Sequence, residues 1–303
     1  MEVSIVLNQV LILFIILIVG YIANKLKIIS DDLNKKLSNL IVKITMPAII
    51  LVSTQIEFSK ENLTNTLWIL VISFTFFIIS ILVSQLLYRN SSDDRKPVLK
   101  FATSFSNCGY MGFPILYGLF GDIGIFYGAI FQIPFNIFIW TYGVIIFKKH
   151  NDVKQMLKDV LNPSIIALFL GFILMAFNWK IPDPFYSSLN YIGGLTTPLS
   201  MLVIGATLGT IRLREVLKDK MVYIVSLLRL ILIPVLCYFS FVLFNPPKMA
   251  LTICVLLLAM PSAAATTIFA QEYNGNAKLA AGVVSFSTFA SLLTIPLMMY
   301  LVV

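Results

Sequence analysis

The sequence predicts an all-α membrane protein in which ten transmembrane helices form two inverted five-helix repeats. The first observation behind this prediction is composition: 59% of the 303 residues are hydrophobic, 12% are charged and the mean hydropathy is +0.93. Soluble domains carry about 25% charged residues, and a soluble chain could not bury this much apolar surface. The other two observations are ten long apolar stretches and a similarity between the two halves of the chain.

Ten stretches are long enough to cross a bilayer core, which takes about 20 residues of apolar helix. Eight contain no charged residue, and two are each interrupted by one cation, Lys43 or Arg229. The alternation typical of a membrane barrel is absent, so helices are expected. The predicted spans are residues 3–24, 37–56, 62–88, 101–121, 123–147, 160–179, 184–211, 221–247, 249–271 and 279–303.

Lys and Arg concentrate in alternate loops. The first, third, fifth and seventh loops each hold four basic residues, whereas no even-numbered loop holds more than one. Because cytoplasmic loops carry the excess of Lys and Arg, a multi-pass protein of the cytoplasmic membrane with both termini extracytoplasmic is predicted. The net charge of +8 is spread over these loops rather than one patch, which argues against nucleic acid as a partner and leaves membrane lipid.

The two halves of the chain, residues 1–150 and 151–303, resemble each other at an offset of 151 residues. Gly20 aligns with Gly171, and residues 45–47 (Thr-Met-Pro) align with residues 196–198 (Thr-Thr-Pro). Since five helices separate the two copies, the second copy is inverted. Inverted repeats are typical of secondary transporters, in which alternating access moves one bundle against another.

Helix-breaking residues interrupt the fourth and ninth predicted spans at mid-length. The fourth contains Gly109, Gly112 and Pro114, and the ninth contains Pro261. Glycine weakens a helix and proline removes a backbone donor, so each span is expected to form two half-helices, with an ordinary kink as the alternative. Paired interruptions in corresponding helices indicate the binding site of a transporter.

The second half-helices are expected to begin at the membrane midplane with their N-termini facing one cavity. Unpaired N–H groups and the positive end of the helix dipole favour an anion there, and no predicted span contains Asp or Glu. Ser106, Asn107 and Ser262 occupy positions suited to a ligand-binding hydroxyl or amide. A small organic anion, such as a carboxylate, is therefore the expected substrate.

Four other polar residues within the predicted spans have two interpretations each. Lys43 either contacts the substrate or a counter-anion, or extends to the cytoplasmic interface. Arg229 either takes part in transport or caps backbone carbonyls near the kink expected at Pro234. Gln132 and Asn136, one turn apart in the fifth span, either line a pathway or join helices through hydrogen bonds.

No motif for a metal, a cofactor or a catalytic nucleophile occurs in the sequence, so an enzyme is not expected. Glu272 is the one acid near the expected cavity and is interpreted as a solvated loop residue. The three cysteines lie in apolar stretches without metal or disulfide spacing. No metal and no cofactor are predicted.

Several of these segments resemble motifs of the auxin efflux carrier family, which includes plant PIN carriers and bacterial malate or malonate permease-like proteins. Residues 107–114 (Asn-Cys-Gly-Tyr-Met-Gly-Phe-Pro) are similar to the family's N-x-x-x-M-G-x-P stretch, and residues 269–273 resemble its F-A-x-E-Y. Residues 162–164 (Asn-Pro-Ser) and 139–142 (Ile-Trp-Thr-Tyr) resemble its sixth and fifth helices. The similarity extends over essentially the whole chain.

The resemblance implies a sodium/bile-acid symporter-like (PIN-like) fold, in which the broken fourth and ninth helices cross at the substrate site. It implies a scaffold of helices 1, 2, 6 and 7, a transport domain of helices 3–5 and 8–10, and a homodimer through the scaffold. By position, Asn107 and Asn136 become candidate substrate ligands, and Ser106 and Pro261 mark the crossover.

Three departures from the plant carriers favour a compact bacterial-type permease. Ser106 stands where PIN carriers have proline, so the break in the fourth helix would depend on the nearby glycines and Pro114. Residues 262–265 are alanine-rich where PIN carriers have Gln, Gly and a second Pro, which argues against an indole-sized substrate. The long insert of the plant carriers is missing from the fifth loop.

The expected function is secondary active transport of a small organic anion, such as a carboxylate or auxin-like acid, by a rocking or elevator-like motion. One alternative is a sodium-coupled organic anion symporter of bile-acid type. The other is a membrane sensor that binds a ligand without transporting it. Coupling to protons or to sodium, and the direction of transport, stay open.

Overall fold

The computed structural model describes residues 3–56, 59–147, 161–210, 218–273 and 275–302. Regular structure in these ranges is entirely helical, and seven helices are long and apolar enough to cross a membrane. The prediction of an all-helical membrane protein is confirmed at this level. The basic residues of the fifth loop, and Arg212 and Arg214 of the seventh loop, lie outside the described residues.

Twelve helical segments follow one another along the described chain, and the seven long ones are α1, α2, α3, α6, α8, α9 and α12. Their bounds are α1 Val3–Lys25, α2 Asp31–Ser53, α3 Lys60–Leu87, α4 Lys96–Ser104, α5 Cys108–Phe120, α6 Asp122–Gly143, α7 Pro163–Ala176, α8 Phe185–Gly209, α9 Lys220–Val242, α10 Lys248–Leu258, α11 Ala265–Glu272 and α12 Ala277–Val302.

Several helices begin earlier than the uncharged stretches predict, because polar caps start them. The Ser30 hydroxyl accepts a hydrogen bond from the Leu33 N–H at 3.2 Å, so α2 starts at Asp31 rather than at residue 37. Acidic side chains in a first turn also interact favourably with the positive end of the helix dipole, and Asp31 and Asp32 occupy that turn. A span predicted from hydropathy alone therefore misses charged first turns.

Three helices contain a wide π turn just before a proline. The turns are Ile41–Thr45 in α2, Cys108–Gly112 in α5 and Leu228–Leu232 in α9, and the prolines are Pro47, Pro114 and Pro234. Proline cannot donate to the carbonyl four residues earlier, and its ring clashes with that carbonyl. A wider turn accommodates this loss, and such turns occur frequently at functional sites.

Helices α1 and α8 pack in backbone contact at glycines. A β-carbon placed on Gly20 would lie 2.3 Å from the Leu202 carbonyl oxygen, and one placed on Gly205 would lie 1.9 Å from the Leu17 carbonyl oxygen. Small residues allow such close approach in membrane helices, where packing rather than the hydrophobic effect joins helices. The two glycines therefore fix α1 against α8.

Helix α10 occupies the centre of the protein. Every residue from Ala250 to Leu258 is buried, as expected for a helix that is apolar on all sides. The same core contains a cluster of aromatic rings around Phe77 of α3. Its ring lies 5.4 to 6.2 Å, centroid to centroid, from those of Phe105, Phe131, Phe135 and Phe138. The end of α10 is consequently enclosed by protein.

Candidate substrate site

The two broken helices meet at their interruptions. Helix α4 ends at Ser104 and α5 begins at Cys108, while α10 ends at Leu258 and α11 begins at Ala265. The residues between these ends, 105–107 and 259–264, form a contact that we call the crossing. The structure thus brings the two predicted interruptions together in space.

Backbone hydrogen bonds join the two segments of the crossing. The Asn107 N–H donates to the Pro261 carbonyl at 2.7 Å, and the Ala263 N–H donates to the Phe105 carbonyl at 2.9 Å. Together they form an isolated antiparallel bridge between Ser106 and Ser262. These bonds satisfy backbone groups that an interrupted helix leaves unpaired in an apolar environment.

The predicted helix-breaking residues lie close to this bridge in both segments of the chain. Pro261 is in the crossing itself, whereas Gly109 and Gly112 fall in the first turn of α5 and Pro114 follows that turn. The chain therefore leaves the helix before the glycines. Their role is close packing: a β-carbon on Gly109 would lie 2.9 Å from Nε2 of Gln132, and one on Gly112 would lie 2.6 Å from a Leu257 methyl group.

Both second half-helices begin without a side-chain cap. Asn107, the residue before α5, and Ala264, the residue before α11, make no side-chain cap hydrogen bond to the helix that follows. The first N–H groups of a helix have no partner within it and carry the positive end of its dipole. Asn107 is 4% exposed, and its side-chain amide makes no hydrogen bond to the described residues.

The two predicted serines are buried at the bridge. The Ser262 hydroxyl donates to the Ala102 carbonyl at 2.9 Å, and the Ser262 N–H donates to the Ser287 hydroxyl at 3.2 Å. Ser106 is fully buried as well. Ser262 therefore already links the crossing to α4 and α12, whereas the Ser106 hydroxyl and the Asn107 amide make no hydrogen bond to the described residues and are left for a ligand.

A chain of amides runs from the start of α5 to the start of α7. Gln132 lies against Gly109, and Asn136 Nδ2 donates to the Gln132 carbonyl at 2.8 Å and to its Oε1 at 3.3 Å. Asn162 Nδ2 in turn donates to Asn136 Oδ1 at 2.7 Å. The bond between Asn136 and Asn162 joins α6 to α7, in agreement with the helix-joining interpretation of Asn136. The hydrogen bonds of Gln132 stay within α6, and its amide lies against Gly109 in the first turn of α5.

Asn162 is not among the predicted site residues, although its Asn-Pro motif is visible in the sequence. Its Oδ1 accepts hydrogen bonds from the N–H groups of Ser164 at 3.1 Å and Ile165 at 3.2 Å, so it caps α7. The Asn-Pro pair is a recognisable helix start. Only the fold shows that the same side chain also bonds to α6.

We expect the substitutions Asn136→Ala and Asn162→Ala to be non-additive in stability. Each one removes the hydrogen bond that joins these two side chains, so the double variant should lose less than the sum, by about 0.6 to 1.7 kcal/mol. Titration of the four proteins with a denaturing detergent measures the difference. The control pair combines Asn136→Ala with Asn190→Ala, on an exposed residue of α8, and should be additive; equal coupling in both pairs would contradict the prediction.

Lys43 and Glu272 lie at exposed positions. The Lys43 side chain is exposed on α2 and makes no ion pair with the described residues, whereas Thr45 and Met46 nearby are buried. The Met46 methyl group faces the start of α5, 3.6 Å from a β-carbon placed on Gly109. The structure therefore brings Met46, and not Lys43, next to the predicted break.

Arg229 is fully buried and reaches the crossing from α9. Its guanidinium donates to the carbonyls of Thr103 at 3.1 Å and Ser104 at 3.4 Å, and to the Leu258 carbonyl. These are the last carbonyls of α4 and α10. Of the two interpretations of Arg229, carbonyl capping agrees with these contacts, but the carbonyls belong to the two broken helices rather than to the kink at Pro234.

Comparison with known proteins places the chain in a family of transporters. Residues 5–299 match the family model described as membrane transport protein. The chain is 28% identical over 306 residues to an uncharacterized transporter of Methanocaldococcus jannaschii, covering 96% of this chain and 97% of the relative. It is 26% identical over 301 residues to an uncharacterized transporter of Methanothermobacter thermautotrophicus, covering 96% of each.

A further relative is the "Putative malonate transporter" of Rhizobium meliloti, which is 24% identical over 305 residues, covering 95% of this chain and 93% of the relative. The family match spans nearly the whole chain, and the relatives share its full length. The protein therefore belongs to the membrane transport protein family, the auxin efflux carrier family that its motifs resemble.

Proposed function

We propose that this protein is a secondary transporter that carries a small organic anion across the cytoplasmic membrane by alternating access. The observation that carries the proposal is the crossing, where the segments that precede two uncapped half-helices are hydrogen-bonded to each other and the Asn107 amide makes no hydrogen bond to the described residues. Broken helices whose N-termini point at an anionic group are the usual binding device of secondary transporters. The family and its named relatives support transport rather than catalysis.

The charge distribution supports an anion as substrate. Arg229 is the one buried charged side chain among the described residues, and the buried polar residues there include no Asp or Glu. A buried site for an organic cation would need a carboxylate to offset the cost of desolvation. The Rhizobium meliloti relative is named for malonate, and a dicarboxylate of that size is our first candidate substrate.

We further propose ten membrane crossings in two inverted repeats. The seven long helices, α7 and the pairs α4–α5 and α10–α11 would make up the ten. Contacts at nearly equivalent positions support the repeat: Gly20 of α1 approaches Leu202 of α8, and Gly171 of α7 approaches Thr54 at the end of α2, where a β-carbon would lie 2.2 Å from the Thr54 hydroxyl. At an offset of 151 the expected partner of Gly171 is Leu51, one helical turn away.

In this proposal, helices 1, 2, 6 and 7, which correspond to α1, α2, α7 and α8, form the scaffold. The remaining helices form the transport domain, which moves past the scaffold in an elevator-like way. The backbone contact between α1 and α8 suits a rigid scaffold. A homodimer through the scaffold, and coupling to protons or to sodium, belong to the same proposal.

The proposal is tested by ligand-induced stabilisation followed by flux. Purified protein is heated with malonate, malate, a keto acid, indole-3-acetate, and choline as a cationic control. A ligand at one hundred times its Kd stabilises the native state by about 2.7 kcal/mol, and we expect this for a small carboxylate but not for choline. Proteoliposomes then measure uptake of the labelled ligand with and without sodium and proton gradients.

Each outcome decides between functions. Uptake that follows the carboxylate screen supports transport, and its dependence on one gradient identifies the coupling ion. Binding without flux would overturn the transporter in favour of a sensor, while stabilisation by choline alone would overturn the anion site.

A further inference from the structure

Two helices end inside the protein with their carbonyl groups facing each other across the crossing. The last carbonyls of a helix have no partner within it and carry the negative end of its dipole. In transporters with broken helices, such half-helix ends coordinate the coupling cation. In this chain the equivalent carbonyls include those of Thr103 and Ser104 at the end of α4 and of Leu258 at the end of α10.

These carbonyls are already occupied by a side chain. Arg229 donates to Thr103, Ser104 and Leu258 at once, so its single guanidinium bridges the ends of both broken helices. The guanidinium makes no ion pair with the described residues, and its Nε has no hydrogen-bond partner there. Its positive charge is therefore offset by carbonyl dipoles, as the charge of a bound metal cation would be.

The residue type and its backbone setting fit this role. A planar guanidinium with five donors can reach two helix ends in a fixed geometry, which the point charge of a lysine ammonium cannot do. Arg229 sits within the π turn Leu228–Leu232 of α9, followed by Pro234. This turn is one of the three π turns that precede a proline, and it is the one that carries a buried cation.

We infer that Arg229 is a built-in cation, which holds the two half-helix ends together and makes binding at the crossing independent of a monovalent metal ion. The inference rests on the proposed function only where it concerns anion binding. The part of the inference that concerns structure, in which a side-chain cation takes the place of a bound metal ion, does not depend on the identity of the substrate. Arg229 is thus a positioning residue, and it also argues against the sodium-coupled alternative at this location.

Replacement of the arginine should expose the vacated site to soluble cations. In Arg229→Ala we expect the Tm to fall on the order of 10 °C, because two helix ends lose their buried counter-charge. Millimolar guanidinium or sodium should recover at least half of that fall, since guanidinium has the same head group as arginine and half-helix carbonyls coordinate sodium in other transporters. Arg229→Met should show a fall that neither cation recovers, because the methionine side chain fills the space.

Three controls keep the measurement specific. The wild-type Tm should be equal in sodium, potassium and choline chloride at the same ionic strength. Lys43→Ala, which removes an exposed cation from α2, should leave both the Tm and its lack of cation dependence unchanged. Arg229→Lys keeps the charge but cannot bridge both ends, so we expect an intermediate Tm and weak recovery by guanidinium.

The inference is overturned if sodium specifically stabilises the wild-type protein, or if Arg229→Met is as stable as wild type. It is also overturned if Arg229→Ala folds and no cation raises its Tm. Should Arg229→Ala not fold without a cation, purification in guanidinium or sodium is the same test, and failure under every cation counts against the inference. None of these readouts uses a substrate, so they are independent of the carboxylate screen that tests the proposed function.

Discussion

Asn107→Ala is expected to weaken binding of the anionic substrate by roughly ten- to a hundredfold and to leave the protein folded. The Asn107 amide has no hydrogen-bond partner among the described residues, so its removal takes no hydrogen bond from any of them. A hydrogen bond to a charged group contributes about 1.5 to 3 kcal/mol, which is the source of the expected loss in affinity. The backbone bond from Asn107 to the Pro261 carbonyl is retained in the variant, and it preserves the crossing.

Titration of the tightest carboxylate from the screen, by calorimetry on detergent-purified protein, measures this change. Asn107→Asp sharpens the test, because a carboxylate at the uncapped start of α5 would repel an anionic ligand and should abolish binding. Asn190→Ala, at an exposed asparagine on α8, is the matched control and should bind as wild type does. Unchanged affinity in Asn107→Ala would place the substrate elsewhere.

The broken helices could be predicted from sequence, but the residues that break the first of them could not. Glycine and proline indicate where a helix is weak, and Pro261 does lie in the crossing. In the fourth span the weak residues Gly109 and Gly112 lie inside α5, and the residues outside the helices are Phe105 to Asn107. The backbone there is kept out of a helix by hydrogen bonds to a segment more than 150 positions away in the sequence. A local sequence pattern cannot predict such a long-range contact.

For the candidate site, the contacts of Arg229 likewise could not be predicted from the sequence. A cation in the middle of an apolar span is visible in the sequence, and so is the choice between transport and capping. Its partners are backbone carbonyls at Thr103, Ser104 and Leu258, and a carbonyl is present at every position of the chain. Because the identity of the partner depends on the fold alone, the sequence could identify the arginine as unusual but not what it binds.

The proposed repeat is visible in the sequence for a different reason. Gly20 and Gly171 are small residues that each allow a neighbouring helix to approach closely, and such positions tolerate few other side chains. Because a close contact between helices requires a small residue, the requirement is visible in the sequence as a glycine. The aligned prolines are visible in the same way. Steric requirements are therefore the part of this fold that sequence reveals best.

Gly205→Ala is expected to destabilise the protein strongly, although it adds only one methyl group. The new β-carbon would lie 1.9 Å from the Leu17 carbonyl oxygen and 2.8 Å from the Tyr21 nitrogen. Both are backbone atoms of α1, so no side-chain rotation relieves the overlap and the two helices must separate. Overpacking of this kind costs about 3 kcal/mol or more, which corresponds to a fall in Tm on the order of 10 °C.

Gly194→Ala is the matched control, because it makes the same change on the same helix. A β-carbon on Gly194 would have no atom within 4 Å, and alanine favours a helix over glycine by up to about 1 kcal/mol. Thermal unfolding in detergent should therefore give an unchanged or slightly higher Tm for Gly194→Ala and a much lower one for Gly205→Ala. If the two variants melt alike, α1 and α8 are not in backbone contact, and the proposal of a rigid scaffold with an elevator-like motion loses its main support.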